Sequence, residues 1–154
     1  KKDNAAMVTL SGQPEVSVKV TYSADTFSLT GKWEGDENGT FYCPLIIKVT
    51  GKVGDTVTTE TINCAKKNSA ADIQTAVQNA VAACSATYAP NTDLSTAAVA
   101  GEGLKISWEW PFEGTANPGQ TDAKDTYLGN QAAAGGLNVP AIHIPVTATV
   151  TQID

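Results

Sequence analysis

Cys43, Cys64 and Cys84 are the residues of this chain best suited to covalent or metal chemistry. Structural zinc needs four thiolate or imidazole ligands, commonly delivered by C-x-x-C pairs. No such pair occurs and His143 is the only histidine, so the cysteines point to oxidation rather than metal binding. In an oxidising compartment, one bridge and one buried thiol account for the three. Cys43 and Cys64 flank the turn-like run GKVGD at 51–55, and a hairpin folded there brings them close together. Pairing Val49 with Val57 sets Cys43 opposite Asn63, so a bulge near Pro44 must restore the match for a Cys43–Cys64 disulfide. Cys84 lies beyond a helical segment about 22 Å long at about 1.5 Å per residue, and is expected to stay free.

Other chemistry is poorly supplied. A zincin needs two imidazoles one helical turn apart in H-E-x-x-H, and a nucleophile elbow needs G-x-S-x-G; neither is present. His143 alternates with Ile142 and Ile144, which places it on the outer face of a strand. Asp36, Glu37, Asp122 and Asp125 are loop carboxylates without EF-hand spacing and read as solvated. The chain is therefore expected to be no enzyme and to hold no cofactor or metal. Asn38-Gly39-Thr40 is an N-glycosylation sequon in a turn rich in Gly, Asp and Asn. Trp108 and Trp110 alternate on one face with Leu104 and Ile106, which favours core packing over a sugar-stacking platform.

The elements that must carry these residues are mostly strands. The 154 residues fit one domain of 15–154 preceded by a segment and linker at 1–14. Only 17 % of residues are charged, so Thr, Ser, Asn, Gln and Gly must supply much of the surface, as in secreted β-proteins. The net charge is −6, and every basic residue is Lys. Without Arg there is no bidentate phosphate recognition, which argues against nucleic acid as a partner. No run of about 20 apolar residues exists, so no membrane insertion is expected. The start at Lys1-Lys2-Asp3, with neither Met nor an apolar run, is that of an exported chain trimmed by signal peptidase.

Period-two alternation predicts strands over 15–23, 28–33, 41–49, 56–63, 96–100, 104–110, 141–144 and 146–153. One segment has helical period: Ile73, Ala76, Val77, Ala80, Val81 and Cys84 form a stripe, with Ser69 as N-cap and Asp72 three residues on. The stretch 111–134 reads as a Gly/Pro/Asp-rich excursion with a helical turn near 125–128. Many short strands with one inserted amphipathic helix describe a mainly β, jelly-roll-like β-sandwich. Ahead of it, Ala5, Ala6, Met7, Val8, Thr9 and Leu10 make an apolar strand set off by Gly12-Gln13-Pro14. Alternation sends Ala6, Val8 and Leu10 to one side and Ala5, Met7 and Thr9 to the other. Such a strand can pair with its own sheet or with another chain.

The runs ISWEWPFEG at 106–114, DAKDTYLGNQAAAG at 122–135 and IPVTATVTQ at 144–152, with D-x-x-L-G-N at 125–130, resemble the TasA and camelysin family of exported biofilm matrix proteins. The likeness is greatest to archaeal members that form bundling pili, and is strongest over roughly the last fifty residues. It implies a jelly-roll core and polymerisation by donor-strand complementation, in which the segment at 5–10 completes a sheet of the next identical subunit, with lateral contacts between filaments. A secreted monomeric adhesin or carbohydrate-binding module is the alternative. Some camelysin relatives are described as metallopeptidases, an activity for which this chain lacks the ligands.

Overall fold

A computed structural model describes residues 2–97, 102–111 and 119–154, with side chains throughout except at 2–7, 96, 97 and 102. The protein is mainly β. The described residues form nine strands in the order β1 (Lys2–Thr9), β2 (Val18–Ala24), β3 (Ser28–Thr30), β4 (Ile46–Val53), β5 (Thr56–Asn63), β6 (Ser85–Tyr88), β7 (Glu102–Glu109), β8 (Ala141–His143) and β9 (Val146–Gln152). Helices α1 (Ala70–Ala83), α2 (Leu94–Ala97) and α3 (Asp122–Ala134) interrupt them. Seven strands share one sheet, ordered β1-β7-β4-β6-β2-β9 with β5 also on β4, while β3 and β8 form a separate two-stranded sheet.

Alternation in β2 does what its sequence requires. Val18, Val20, Tyr22 and Ala24 are buried on one face, while Lys19 and Ser23 are exposed on the other. Helix α1 covers that face, packing mainly on β2 and also on β3, β4 and β5. Its buried residues are Ile73, Val77, Ala80 and Val81, the expected stripe. The Ser69 hydroxyl caps it by accepting from the Asp72 amide, and the Asp72 carboxylate accepts from the Asn68 amide. Together these satisfy donors that the first turn leaves open.

Several elements differ from the sequence-based expectation. The β4–β5 hairpin turns on two residues, Gly54-Asp55, with Gly54 at φ +60°, so Val53 pairs with Thr56 and Val49 with Glu60. A two-residue turn fixes the register, and the five-residue loop assumed above shifts it. The strand expected from residue 41 begins only at Ile46; Phe41 instead makes an isolated bridge to Glu34. Strand β6 has no expected counterpart. Of the strand expected over 96–100, residues 96 and 97 are instead the end of a helix over 94–97, because the Asp93 carboxylate accepts from the Ser95 amide and starts a turn; the remainder, 98–100, lies outside the described residues. The excursion before β8 contains the thirteen-residue helix α3, so the chain carries two long helices where one was expected. Thr121 caps α3 through the Lys124 amide, and Leu128 is its one buried residue.

Burial raises the ionisation of Tyr22, Tyr42 and Tyr88 above the ordinary phenol value, helped at Tyr42 by its hydrogen bond to Asp125. A raised folded-state pKa means that the native chain binds more protons than the unfolded one in alkaline solution. The buried Cys43 and Cys84 thiols are raised in the same way, so stability is expected to begin to fall above about pH 8, where unfolded thiols ionise, and to fall further through about 10, where unfolded tyrosines ionise. Urea midpoints at pH 7, 9 and 10.5 check this; a midpoint at pH 10.5 equal to that at pH 7 contradicts it.

Candidate assembly edge

Strand β7 presents two edges. One pairs with β4, from Ile46 opposite Glu109 to Gly51 opposite Leu104. The other pairs with the N-terminal strand β1 of the same chain: Ala6 lies opposite Ile106, Met7 opposite Lys105 and Val8 opposite Leu104. The register breaks between Lys2 and Ala6 and again between Val8 and Thr9. The expected alternation holds where side chains are described. Leu10 is buried, Val8 is half-buried against the core and Thr9 is exposed. The side chains of Ala5, Ala6 and Met7 lie outside the described residues.

Gly103 sets how closely β1 ends on β7. A Cβ there would lie 2.0 Å from the Tyr22 hydroxyl and 3.0 Å from Leu10 Cγ, so any side chain would displace the anchor of β1. The linker that follows is pinned rather than loose. The Leu94 amide donates to Gly12 O at 2.9 Å, the Asn91 amide to Pro14 O at 2.7 Å, and Gln13 Nε2 to Asn91 O at 2.7 Å. Gly12 has φ +95°, a conformation that side chains resist, and its neighbour Ser11 is exposed. The pivot for any movement of β1 is therefore Ser11-Gly12.

Below β7 lies an apolar cleft of about 560 Å³ between the main sheet, α3 and β8. Trp33, Trp108, Trp110, Ile106, Leu128 and Ile142 contribute to its walls. Trp108 and Trp110 pack against the core yet stay half-buried, so the strand alternation placed them on the core side without enclosing them. Lys2 of β1 stands opposite Trp108 in the sheet.

One polar network holds α3 against this region. The Tyr42 hydroxyl donates to Asp125 Oδ1 at 2.5 Å, and Gln120 Nε2 donates to Asp125 Oδ2 and to Pro111 O, both at 2.6 Å. The Lys124 ammonium sits 5.5 Å from the centre of the Tyr42 ring. Asp125 and Leu128, the first and fourth residues of the D-x-x-L-G-N run, thus do separate work: the carboxylate gathers polar partners while Leu128, 1 % exposed, enters the core.

The remaining singled-out residues are dispersed. Cys43 and Cys64 are buried as free thiols, and the Leu45–Cys64 backbone bond at 2.9 Å brings their chain segments together outside the β4–β5 ladder. Burial, reinforced by the Cys64 thiol, pushes Cys43 far above the usual thiol range. Cys84 is also buried and free but packs on Gly51, where a Cβ would lie 2.7 Å from its Sγ. Asn38 and Thr40 are exposed on a turn whose amides both donate to Asp36 Oδ1, with Thr40 the larger cause of that carboxyl's lowered ionisation. His143 is exposed opposite Ser28. Among the described residues no three His, Cys, Asp or Glu side chains gather as metal ligands, and no helix is long and apolar enough to cross a membrane.

Two measurements follow from these contacts. Asp125→Ala takes away the acceptor of the buried Tyr42 hydroxyl and one of the acceptors of the Gln120 amide, which keeps Pro111 O, and is expected to cost about 1–3 kcal/mol in urea unfolding, more than Tyr42→Phe, which removes one donor with its bond; equal stability of Asp125→Ala and the parent refutes the network. Peptide mapping without reduction, on protein folded under oxidising conditions, is expected to find Cys43 linked to Cys64 and Cys84 free, with reduction costing about 3 kcal/mol. A bridge containing Cys84 overturns that pairing.

Compared with protein-family models, curated proteins and solved structures, the chain finds no match.

Proposed function

We propose that this chain is the structural subunit of an extracellular filament, a bundling pilus or biofilm matrix fibre, that polymerises by donor-strand complementation. Residues 5–10 are donated to the next identical subunit, the jelly-roll-like domain of 15–154 accepts the same segment from the one before, and the precursor is exported with a cleaved signal peptide. The reading assigns the chain no catalysis. The observation that carries it is the attachment of β1: a strand at the edge of the sheet, bonded among the described residues to β7 alone and joined through a pivot at Ser11-Gly12 to a pinned linker. A copy of β1 arriving from another molecule makes the same backbone bonds and buries the same Val8 and Leu10. The exchange is then a domain swap whose contacts are conserved, and a head-to-tail swap gives an open filament wherever its rotation does not close into a ring. Each of those two side chains contributes on the order of 1.5–3 kcal/mol when buried. The resemblance of 106–114, 122–135 and 144–152 to TasA-type filament proteins points the same way.

The cleft beside β7 favours a second reading, a secreted monomeric adhesin or carbohydrate-binding module, because half-buried indoles line an apolar hollow of about 560 Å³. Sugars stack on such rings. Electron microscopy of native material separates the two, since only the first requires fibres.

Deleting residues 1–11 from the exported protein is expected to leave a folded monomer that forms no fibres; fibres of unchanged appearance would sink strand donation. Met7→Cys with Lys105→Cys, directly paired in the sheet, gives a sharper measure. Oxidation before assembly should lock β1 onto its own β7 and prevent polymerisation. Oxidation of finished fibres should instead produce a denaturant-resistant ladder of linked subunits, and monomers alone after that step mean that no strand was exchanged.

A further inference from the structure

Strand β9 lies at the opposite end of the sheet from β1 and, among the described residues, pairs only with β2. Its register with β2 is unbroken from Val146 opposite Ala24 to Gln152 opposite Val18. Folded proteins blunt such edges with charge, proline or bulges. Within β9 there is none of these: its sequence is VTATVTQ. Six of its seven residues are exposed, and Val150 is 57 % exposed although its partner Val20 on the same face is fully buried. The cover that α1 gives β2 stops short of β9. The other exposed strand, β5, carries Glu60.

The surrounding sequence says what can approach. From 126 to 153 there is no acidic residue and no Lys, so the charge of −6 is carried by the rest of the chain and Asp154. A second copy, equally acidic, is repelled by most of the surface and least by this tract. The tract also presents Leu137, 97 % exposed, and Val139 to solvent.

We infer that β9 pairs antiparallel with β9 of a second copy, about a two-fold axis at Thr149. In that register Ala148 meets Val150 and Val146 meets Gln152 on one face, while Thr147 meets Thr151 on the other. Ala148 and Val150 meet each other, threonine meets threonine, and Val146 at either end lies against the Gln152 side chain, each contact occurring twice as an isologous pairing requires. The flanking charges select the antiparallel sense. Lys19 lies opposite Thr151, and the Asp25 carboxylate accepts from the Thr147 hydroxyl at 3.3 Å. Antiparallel pairing sets the Lys19 end of each copy against the Asp25 end of the other; parallel pairing sets like against like. These charges stand about three strand spacings apart, roughly 14 Å, and so orient the pair more than they bind it. An edge of seven residues is about 24 Å long, a small and weak interface by itself. It deepens the filament reading by naming the lateral partner, because weak contacts repeated along two fibres add up. The use of β9 leaves β1 and β7 free for strand donation at the far end of the sheet.

Full-length chain carrying Thr149→Cys, oxidised mildly at up to about 1 mM, the weak end of specific association, tests the pairing on a non-reducing denaturing gel with peptide mapping. Opposed residues in an antiparallel pair bring their Cα atoms within disulfide range. A 149–149 link is expected at least about tenfold above that from Thr59→Cys, an exposed position on β5, and adding Val150→Lys should suppress it about tenfold. No 149–149 link, or equal linkage from Thr59→Cys, overturns the inference, including the case in which a neighbour's β1 covers β9 instead. The gel reads the link in fibres and in free subunits alike, so its failure is distinct from a failure of strand donation.

Discussion

The backbone of β7 has to be satisfied on both sides, and the compact part of the chain satisfies only one. Strand β4 takes the inner edge, and the outer edge is completed by β1, the piece of chain with the fewest other ties. Unpaired amides and carbonyls along such an edge invite another strand. Much of the local sequence serves this junction. Gly103 makes room for Leu10 and the Tyr22 hydroxyl, and the 89–94 turn holds the linker through Asn91, a non-glycine residue at φ +61°. The same arrangement suits a strand that stays and a strand that is exchanged, since the bonds made are identical.

Around that junction the protein separates apolar packing from polar fastening. Helix α1 is held almost wholly by its aliphatic stripe on β2. Helix α3 has one deeply buried side chain, Leu128, and relies on the Asp125, Tyr42 and Gln120 hydrogen bonds for its position. A hydrogen-bonded carboxylate tolerates little displacement, whereas aliphatic contacts slide. This fastening keeps one wall of the Trp-lined cleft in place beside β7.

Charge is distributed as unevenly as packing. Every Lys, Asp and Glu precedes residue 126 apart from Asp154, and the edge strand β9 is built of threonine, valine, alanine and one glutamine. A soluble surface made from hydroxyls rather than charges allows like molecules to approach one another. The two ends of the sheet thus differ in kind: β1 is held by β7 and joined to the rest through Ser11-Gly12, and β9 is a strand without charge, proline or bulge along its edge.

The amino-acid sequence by itself determined what depends on one-sided burial over a continuous stretch. Val18, Val20 and Tyr22 in β2, Leu104 and Ile106 in β7, and the Ile73 to Val81 stripe of α1 with its Ser69 cap are legible because one face of each meets a core and the other meets water. Helix α3 is not legible in that way, since an Ala-rich helix with a single buried residue has no stripe to read. Nor is β6, whose four residues are too few for a period to emerge. Register in the β4–β5 hairpin was decided by which two residues turned, and the approach of Cys43 to Cys64 by a backbone bond from Leu45 that no ladder predicts. That β7 is the strand β1 pairs with came only from the tertiary structure, because alternation in 5–10 specifies a face to bury and says nothing of which edge will receive it.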